Sequence, residues 1–103
     1  MQYEYEVRDG CLVVMVPKEL DHHQANSLRA ETDLLITTYR VRHLIYDFSE
    51  TEFMDSSGIG VVIGRSRNMS FSGGDMTARN LNGRVQKIFE ASGLKKIVTI
   101  EEQ

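Results

Sequence analysis

Tryptophan is absent from the 103 residues, and proline and cysteine occur once each, as Pro17 and Cys11. A single cysteine forms no internal disulfide and leaves no cluster from which to build a zinc site. With one proline and no low-complexity run or repeat, nothing marks a linker. Long hydrophobic runs are missing too, since no stretch approaches the roughly 18 apolar residues of a membrane span. The opening MQYEYEVRDG has neither a basic segment nor an apolar run and does not read as a signal peptide. Nor is there a surplus of positive charge: 12 Lys and Arg against 15 Asp and Glu give a net charge of -3. A phosphate backbone would find no excess of cations to neutralise it. These absences predict a cytoplasmic domain without direct nucleic-acid or membrane binding.

What is present suits a folded chain. Hydrophobic residues make up 41% and charged ones 26%, an ordinary balance rather than a disordered one. A chain of this length buries roughly 65% of its unfolded surface, enough for one modest core, so residues 1–103 are read as one domain. Tyr3, Tyr5 and Val7 alternate with polar neighbours, as in a half-buried strand. Arg8-Asp9-Gly10 supplies a turn, and Cys11 to Val16 follows as a second strand ended by Pro17. Asp21 is placed to cap a helix through about Tyr39. Its inner face would carry Ala25, Leu28, Leu35, Ile36 and Tyr39, with Arg29, Glu31, Thr32 and Asp33 elsewhere. His43 to Phe48 reads as a strand, and Ser49 to Asp55 as a polar connection. A second helix runs from Ser56 to about Met69, with Arg65 and Arg67 near its end. Gly73-Gly74 breaks the chain before a weaker strand, Asp75 to Leu81. Asn82 opens a third helix that Gly93 stops, and Lys96 to Ile100 closes as a strand. The order β-β-α-β-α-β-α-β predicts an α/β fold with a mixed sheet of about five strands and crossover helices.

The sharpest local feature is Phe53-Met54-Asp55-Ser56-Ser57-Gly58-Ile59-Gly60. Two hydroxyls lie where a polar loop becomes a glycine-containing helix, whose start offers unpaired N–H groups and the positive end of its dipole. A serine there serves either as a cap or as a hydroxyl presented to another protein. Phosphate would find donors at the helix end and repulsion from Asp55. Gly58, Gly60 and Gly64 would narrow one side of the helix for a close approach. Phe53 is expected to be buried, while Met54 could pin the loop or anchor a partner. Nucleotide fingerprints fail, since Gly58-x-Gly60 meets Ile63 where a third glycine is needed, and no P-loop is present. His22 and His23 point about 100° apart on a helix and make a poor chelate. A triad of Ser56, His22 and Asp47 lacks the nucleophile elbow, so no catalytic residue, cofactor or metal is assigned and the protein is not read as an enzyme.

The segment Phe53 to Gly60, continuing through Val61-Val62-Ile63-Gly64-Arg65, resembles the signature of bacterial anti-sigma factor antagonists of the STAS type. Glu19-Leu20-Asp21-His22-His23 is similar to the ELDHH segment of the family's sporulation branch. Gly73-Gly74 and Phe89-Glu90-Ala91-Ser92-Gly93-Leu94 also fit, so the resemblance covers nearly the whole chain. It implies a phosphorylation-switched adaptor. Its unphosphorylated form would bind an anti-sigma factor that is also a serine kinase, releasing the sigma factor. Phosphorylation of Ser56 would end binding, and a PP2C-type phosphatase would reverse it. The partner surface implied comprises Glu19, Asp21, Met54, Asp55, Ser56, Ser57, Gly58 and Ile59. A stress-response antagonist of the same type is the first alternative, and a small nucleotide-binding protein the second. Departures from the family are Lys18, where glycine is common, and the polar Thr77-Ala78-Arg79-Asn80, which predicts an edge strand. Some members also carry a final helix that is not seen after Ile100.

Overall fold

Asp9 and Gly10 both adopt positive φ, 50° and 78°, the left-handed pair that a two-residue hairpin turn requires. They join β1 (Tyr5–Arg8) to β2 (Cys11–Met15), antiparallel, with Arg8 opposite Cys11. In the computed structural model, which describes residues 2–101, this hairpin forms one edge of the fold. There follow β3 (Glu19–Leu20), α1 (His22–Tyr39), β4 (His43–Asp47), β5 (Phe53–Met54), α2 (Ser56–Phe71), β6 (Asp75–Arg79), α3 (Gly83–Ser92) and β7 (Thr99–Glu101). The five-stranded sheet runs β1-β2-β4-β6-β7, with every pairing after the hairpin parallel. The α/β mixed sheet expected from the sequence is therefore present. Each crossover steps the same way across the sheet, so right-handed connections place the three helices on one face.

Burial follows that one-sided cover. Leu12, Val14, Leu44, Tyr46, Met76 and Ala78 are buried, while the residues alternating with them are mostly half-buried or exposed. Phe48 extends the core beyond β4 and meets Phe89 of α3 edge to face, with ring centroids 5.3 Å apart. Tyr46 hides its hydroxyl in the same layer, where it lies 2.7 Å from Thr32 Oγ1. Burial pushes that hydroxyl well above the usual tyrosine range, although the Thr32 hydrogen bond and the Arg65 charge oppose the shift.

Several expectations need correction. Thr32 is not on the outer face of α1 but fully buried, because Tyr46 supplies its partner, whereas Tyr39 is exposed. Tyr3 is buried ahead of β1, while Tyr5 within it is exposed. The strand Asp75–Arg79 is not an edge but lies between β4 and β7. Its polarity is one-sided, with Met76 and Ala78 buried inward and Thr77 and Arg79 turned to the other face. Helix α2 continues to Phe71, so Arg65 and Arg67 are not in its last turn. Arg65 is buried against α1, with Nε 3.1 Å from Asp33 Oδ1. The last strand starts at Thr99, not Lys96. Leu94–Lys96 forms a single 3-10 turn that seats Leu94 in the core before the chain extends.

Candidate functional site

The connection after β4 holds more order than its polar composition suggests. Phe53 and Met54 form β5 and pair in parallel with β3, Glu19 opposite Phe53 and Leu20 opposite Met54. The ladder continues on both sides, with Glu52 N donating to Lys18 O at 2.8 Å and Asp55 N to Leu20 O at 3.2 Å. Thr51 anchors the loop from behind: it is fully buried, donates through Oγ1 to Pro17 O at 3.0 Å, and accepts from Asn82 Nδ2 through its carbonyl. Sequence reasoning missed Thr51, since a lone threonine in a polar stretch carries no periodic signal. Asn82 was read only as a cap, a role it also fills by accepting from Val85 N at 3.0 Å.

This ladder brings two helix starts side by side. Asp21 caps α1, its Oδ1 accepting from Gln24 N at 2.9 Å, and Asp55 caps α2, its Oδ1 accepting from Gly58 N at 3.0 Å. The cap of α2 is thus the aspartate and neither serine. Ser57 is half-buried, and its Oγ lies 3.0 Å from His22 Nδ1, tying α2 to α1. Ser56 Oγ has no such tether among the described residues, and Ser56 is exposed. Of the two adjacent hydroxyls, one is held between helices and one faces solvent.

Gly58 explains why the two starts can lie so close. A Cβ there would sit 2.7 Å from Leu20 O and 2.9 Å from Leu20 Cγ. Gly60 and Gly64 differ, since a Cβ on either meets nothing within 4 Å. The expected glycine stripe is therefore one contact glycine followed by two open positions. The expectation of a buried Phe53 is overturned, and of the two alternatives for Met54 the structure shows the buried one. Met54 is buried at 4% exposure and pins the loop, whereas Phe53 is 49% exposed. Pairing with β3 turns Met54 inward beside the buried Leu20.

Of the residues assigned to a contact surface, Glu19 and Ser56 are exposed, while Asp21, Asp55, Ser57 and Ile59 are half-buried. Met54 and Gly58, assigned to the same surface, are buried. Exposed Glu50 and Glu52 add to the acidic rim, with Glu52 Oε2 3.3 Å from Lys18 Nζ. The triad geometry does not form. His22 reaches Ser57 rather than Ser56, and Asp47 accepts from Ser49 N, Arg79 Nε and Asn80 Nδ2. Burial would raise the Asp47 pKa, but those donors outweigh it and hold the carboxyl below its usual range. Among the described residues no three His, Cys, Asp or Glu side chains converge on a metal position, and no helix is long and apolar enough to cross a membrane.

Comparison with known proteins adds an independent line. Residues 2–103 match the model of the STAS domain. An anti-sigma F factor antagonist from Paenibacillus polymyxa is 36% identical over 100 residues, covering 97% of this chain and 86% of the relative. An anti-sigma-B factor antagonist from Bacillus subtilis is 30% identical over 92 residues, covering 89% and 83%. Among solved structures, the Bacillus cell-fate determinant SpoIIAA in its phosphorylated form superposes with a TM-score of 0.75 at 31% identity, covering 98% of this chain and 92% of that one. SpoIIAA in its unphosphorylated form gives a TM-score of 0.77 at 28% identity, with 98% and 88% coverage.

Proposed function

Since the chain belongs to the STAS domain family and has anti-sigma factor antagonists as homologues, we propose that it is a phosphorylation-switched antagonist of an anti-sigma factor, a regulator rather than a catalyst. In the unphosphorylated state it binds an anti-sigma factor with serine-kinase activity and so releases a sigma factor. The kinase phosphorylates Ser56, which ends binding, and a PP2C-type phosphatase restores it. The observation that carries this reading is the pair of hydroxyls at the start of α2, with Ser57 tied to His22 and Ser56 exposed beside the Asp55 cap. A relative solved in phosphorylated and unphosphorylated forms supports it. The greater similarity to an anti-sigma F antagonist favours the sporulation branch over the stress-response one.

The site suits a local block. A phosphate on Ser56 adds about -1.5 to -2 charges at pH 7. The dipole and amides of the α2 start tolerate it within the domain, so the fold has no cause to rearrange. At a contact the same group meets a partner selected for an acidic rim of Glu19, Glu50 and Glu52, and it must also lose its water. An uncompensated charge there costs about 2–5 kcal/mol. Ser56→Asp therefore loses at least about tenfold in affinity, while Ser56→Ala binds and is not switched off. Titrating both variants against the anti-sigma kinase, with mass spectrometry of the wild-type chain after ATP addition, tests the reading. Absence of phosphate uptake, or equal binding by Ser56→Asp and the wild type, would overturn it.

A further inference from the structure

Two serines stand side by side at the start of α2, and the helix end treats them alike. Both follow the Asp55 cap as the first helical residues, where backbone amides lack helical partners and the dipole favours an anion. Phosphate on either would find the same electrostatic support. What separates them lies across the gap, on α1. His22 Nδ1 is 3.0 Å from Ser57 Oγ, and Ser57 is half-buried where Ser56 is exposed. The register of the β3–β5 ladder does not set this contact. Carried past Leu20 and Met54, it aligns Asp21 with Asp55 and then His22 with Ser56. The change from strand to helix sets it, because successive residues turn by about 100° and only one of the two serines can face α1. Gly58 permits the approach, since a Cβ there would stand 2.7 Å from Leu20 O.

On the basis of the switch described above, we propose that His22 is the specificity-determining residue of the site: it holds Ser57 Oγ against α1 and leaves Ser56 as the hydroxyl a serine kinase can use. Transfer forms a bond from the serine oxygen to the γ-phosphorus of ATP and breaks the bond to the β–γ bridging oxygen. ADP leaves, and the serine proton passes to the kinase's base. The attacking oxygen must therefore lie in line with the leaving group, open to the nucleotide. Ser56 meets that demand by exposure. Ser57 must first give up His22 and turn outward. A serine hydroxyl both donates and accepts, while Nδ1 accepts when bare and donates when it carries the proton, so the tie holds in either state of the ring. A hydrogen bond of ordinary strength biases such a choice by about tenfold. His23, the adjacent imidazole, is exposed and makes no side-chain hydrogen bond among the described residues, which makes it a matched control.

Phosphopeptide mass spectrometry after addition of the anti-sigma kinase and ATP reads the choice site by site. His22 is exposed, so truncating it removes the ring without opening the core. Ser56→Ala should take up almost no phosphate. Adding His22→Ala should raise uptake at Ser57 about tenfold. Using His22→Asn instead, whose side-chain amide stands where the ring has Nδ1, should bring uptake back down. His23→Ala in the Ser56→Ala chain should change nothing at Ser57. With Ser56 intact, His22→Ala should carry phosphate on both serines. Ready uptake at Ser57 in the Ser56→Ala chain, or none there once His22 is gone, would overturn the role of His22 and leave the switch standing. Loss of phosphate from both serines in the His22→Ala chain would make His22 a requirement for docking rather than for choice, and would overturn it too. No phosphate on Ser56 in the wild-type chain would instead overturn the switch, and the role of His22 with it.

Discussion

Two glycines on the same helix should respond to the same substitution with opposite sign. At Gly58 an added methyl would lie 2.7 Å from the Leu20 carbonyl oxygen and 2.9–3.0 Å from the Leu20 side-chain carbons. The carbonyl belongs to the ladder that accepts from Asp55 N, so it cannot move without loosening that ladder. Overpacking of this kind costs about 1–3 kcal/mol, and the helix preference for alanine over glycine returns up to about 1 kcal/mol. The net expectation for Gly58→Ala is a loss of about 1–2 kcal/mol, or roughly 4–16 °C in Tm for a domain of this size. At Gly60 the methyl meets nothing within 4 Å, so only the helix gain remains and Gly60→Ala should stabilise by about 0.5–1 kcal/mol. Urea unfolding of both variants beside the wild type measures the difference. Amide exchange at Leu20 and Met54 then shows whether the Gly58 loss is centred on the ladder. Equal shifts of the same sign in the two variants would refute the claim that Gly58 is a contact glycine.

Three further outcomes are expected. Glu19→Arg, at an exposed position on the acidic rim, should slow association with a kinase at low salt and leave the unfolding curve within about 0.5 kcal/mol of wild type; unchanged association kinetics would remove Glu19 from the surface. Ser57→Ala should leave the phosphate on Ser56 and cost no more than about 1 kcal/mol, because Ser57 bonds to His22 and does not cap the helix; phosphopeptide mapping in the wild type that placed the modification on Ser57 would reverse the assignment. The Asp47 carboxyl is held below its unfolded value by Ser49, Arg79 and Asn80, so its contribution is present above about pH 4 and is lost as pH falls through its folded pKa. Asp47→Asn should therefore be less stable than wild type at pH 7, with the gap closing in acid; a gap that widens on acidification would contradict this sign.

The sequence foretold features that announce themselves locally. Asp9-Gly10 forms the hairpin turn, Asp21 and Asn82 cap their helices, and Gly93 ends α3. The Ser56-Ser57 pair could be singled out because two adjacent hydroxyls at a loop-to-helix junction are a compact signal, whereas the choice of Ser56 within it came from the family resemblance. What escaped depends on partners distant in sequence. The β3–β5 ladder has two residues per strand, too few for any period to show. Phe53, expected to be buried, is exposed because the ladder, and not hydrophobicity, decides which of two apolar neighbours faces inward. Thr32 became a core residue through the hydroxyl of Tyr46, 14 positions on. The strand Asp75–Arg79 was taken for an edge on its mean polarity, whereas its alternation holds Met76 and Ala78 inside.

The short ladder also bears on the order in which the molecule forms and opens. The β1–β2 hairpin closes around two residues and can form in microseconds. Each central pairing, such as Cys11 with His43 or His43 with Asp75, must instead wait for a long intervening segment to be gathered in. The Glu19–Phe53 pairing spans a similar length, but only two register pairs and their flanking bonds reward its closure. It therefore gains least from zipping up and loses least from letting go. Brief partial opening would begin there, leaving the main sheet intact and parting the starts of α1 and α2, whose caps are each bonded within their own helix. Ser56, the first residue of α2, thus follows directly on a ladder that would reach its final geometry last and relinquish it first.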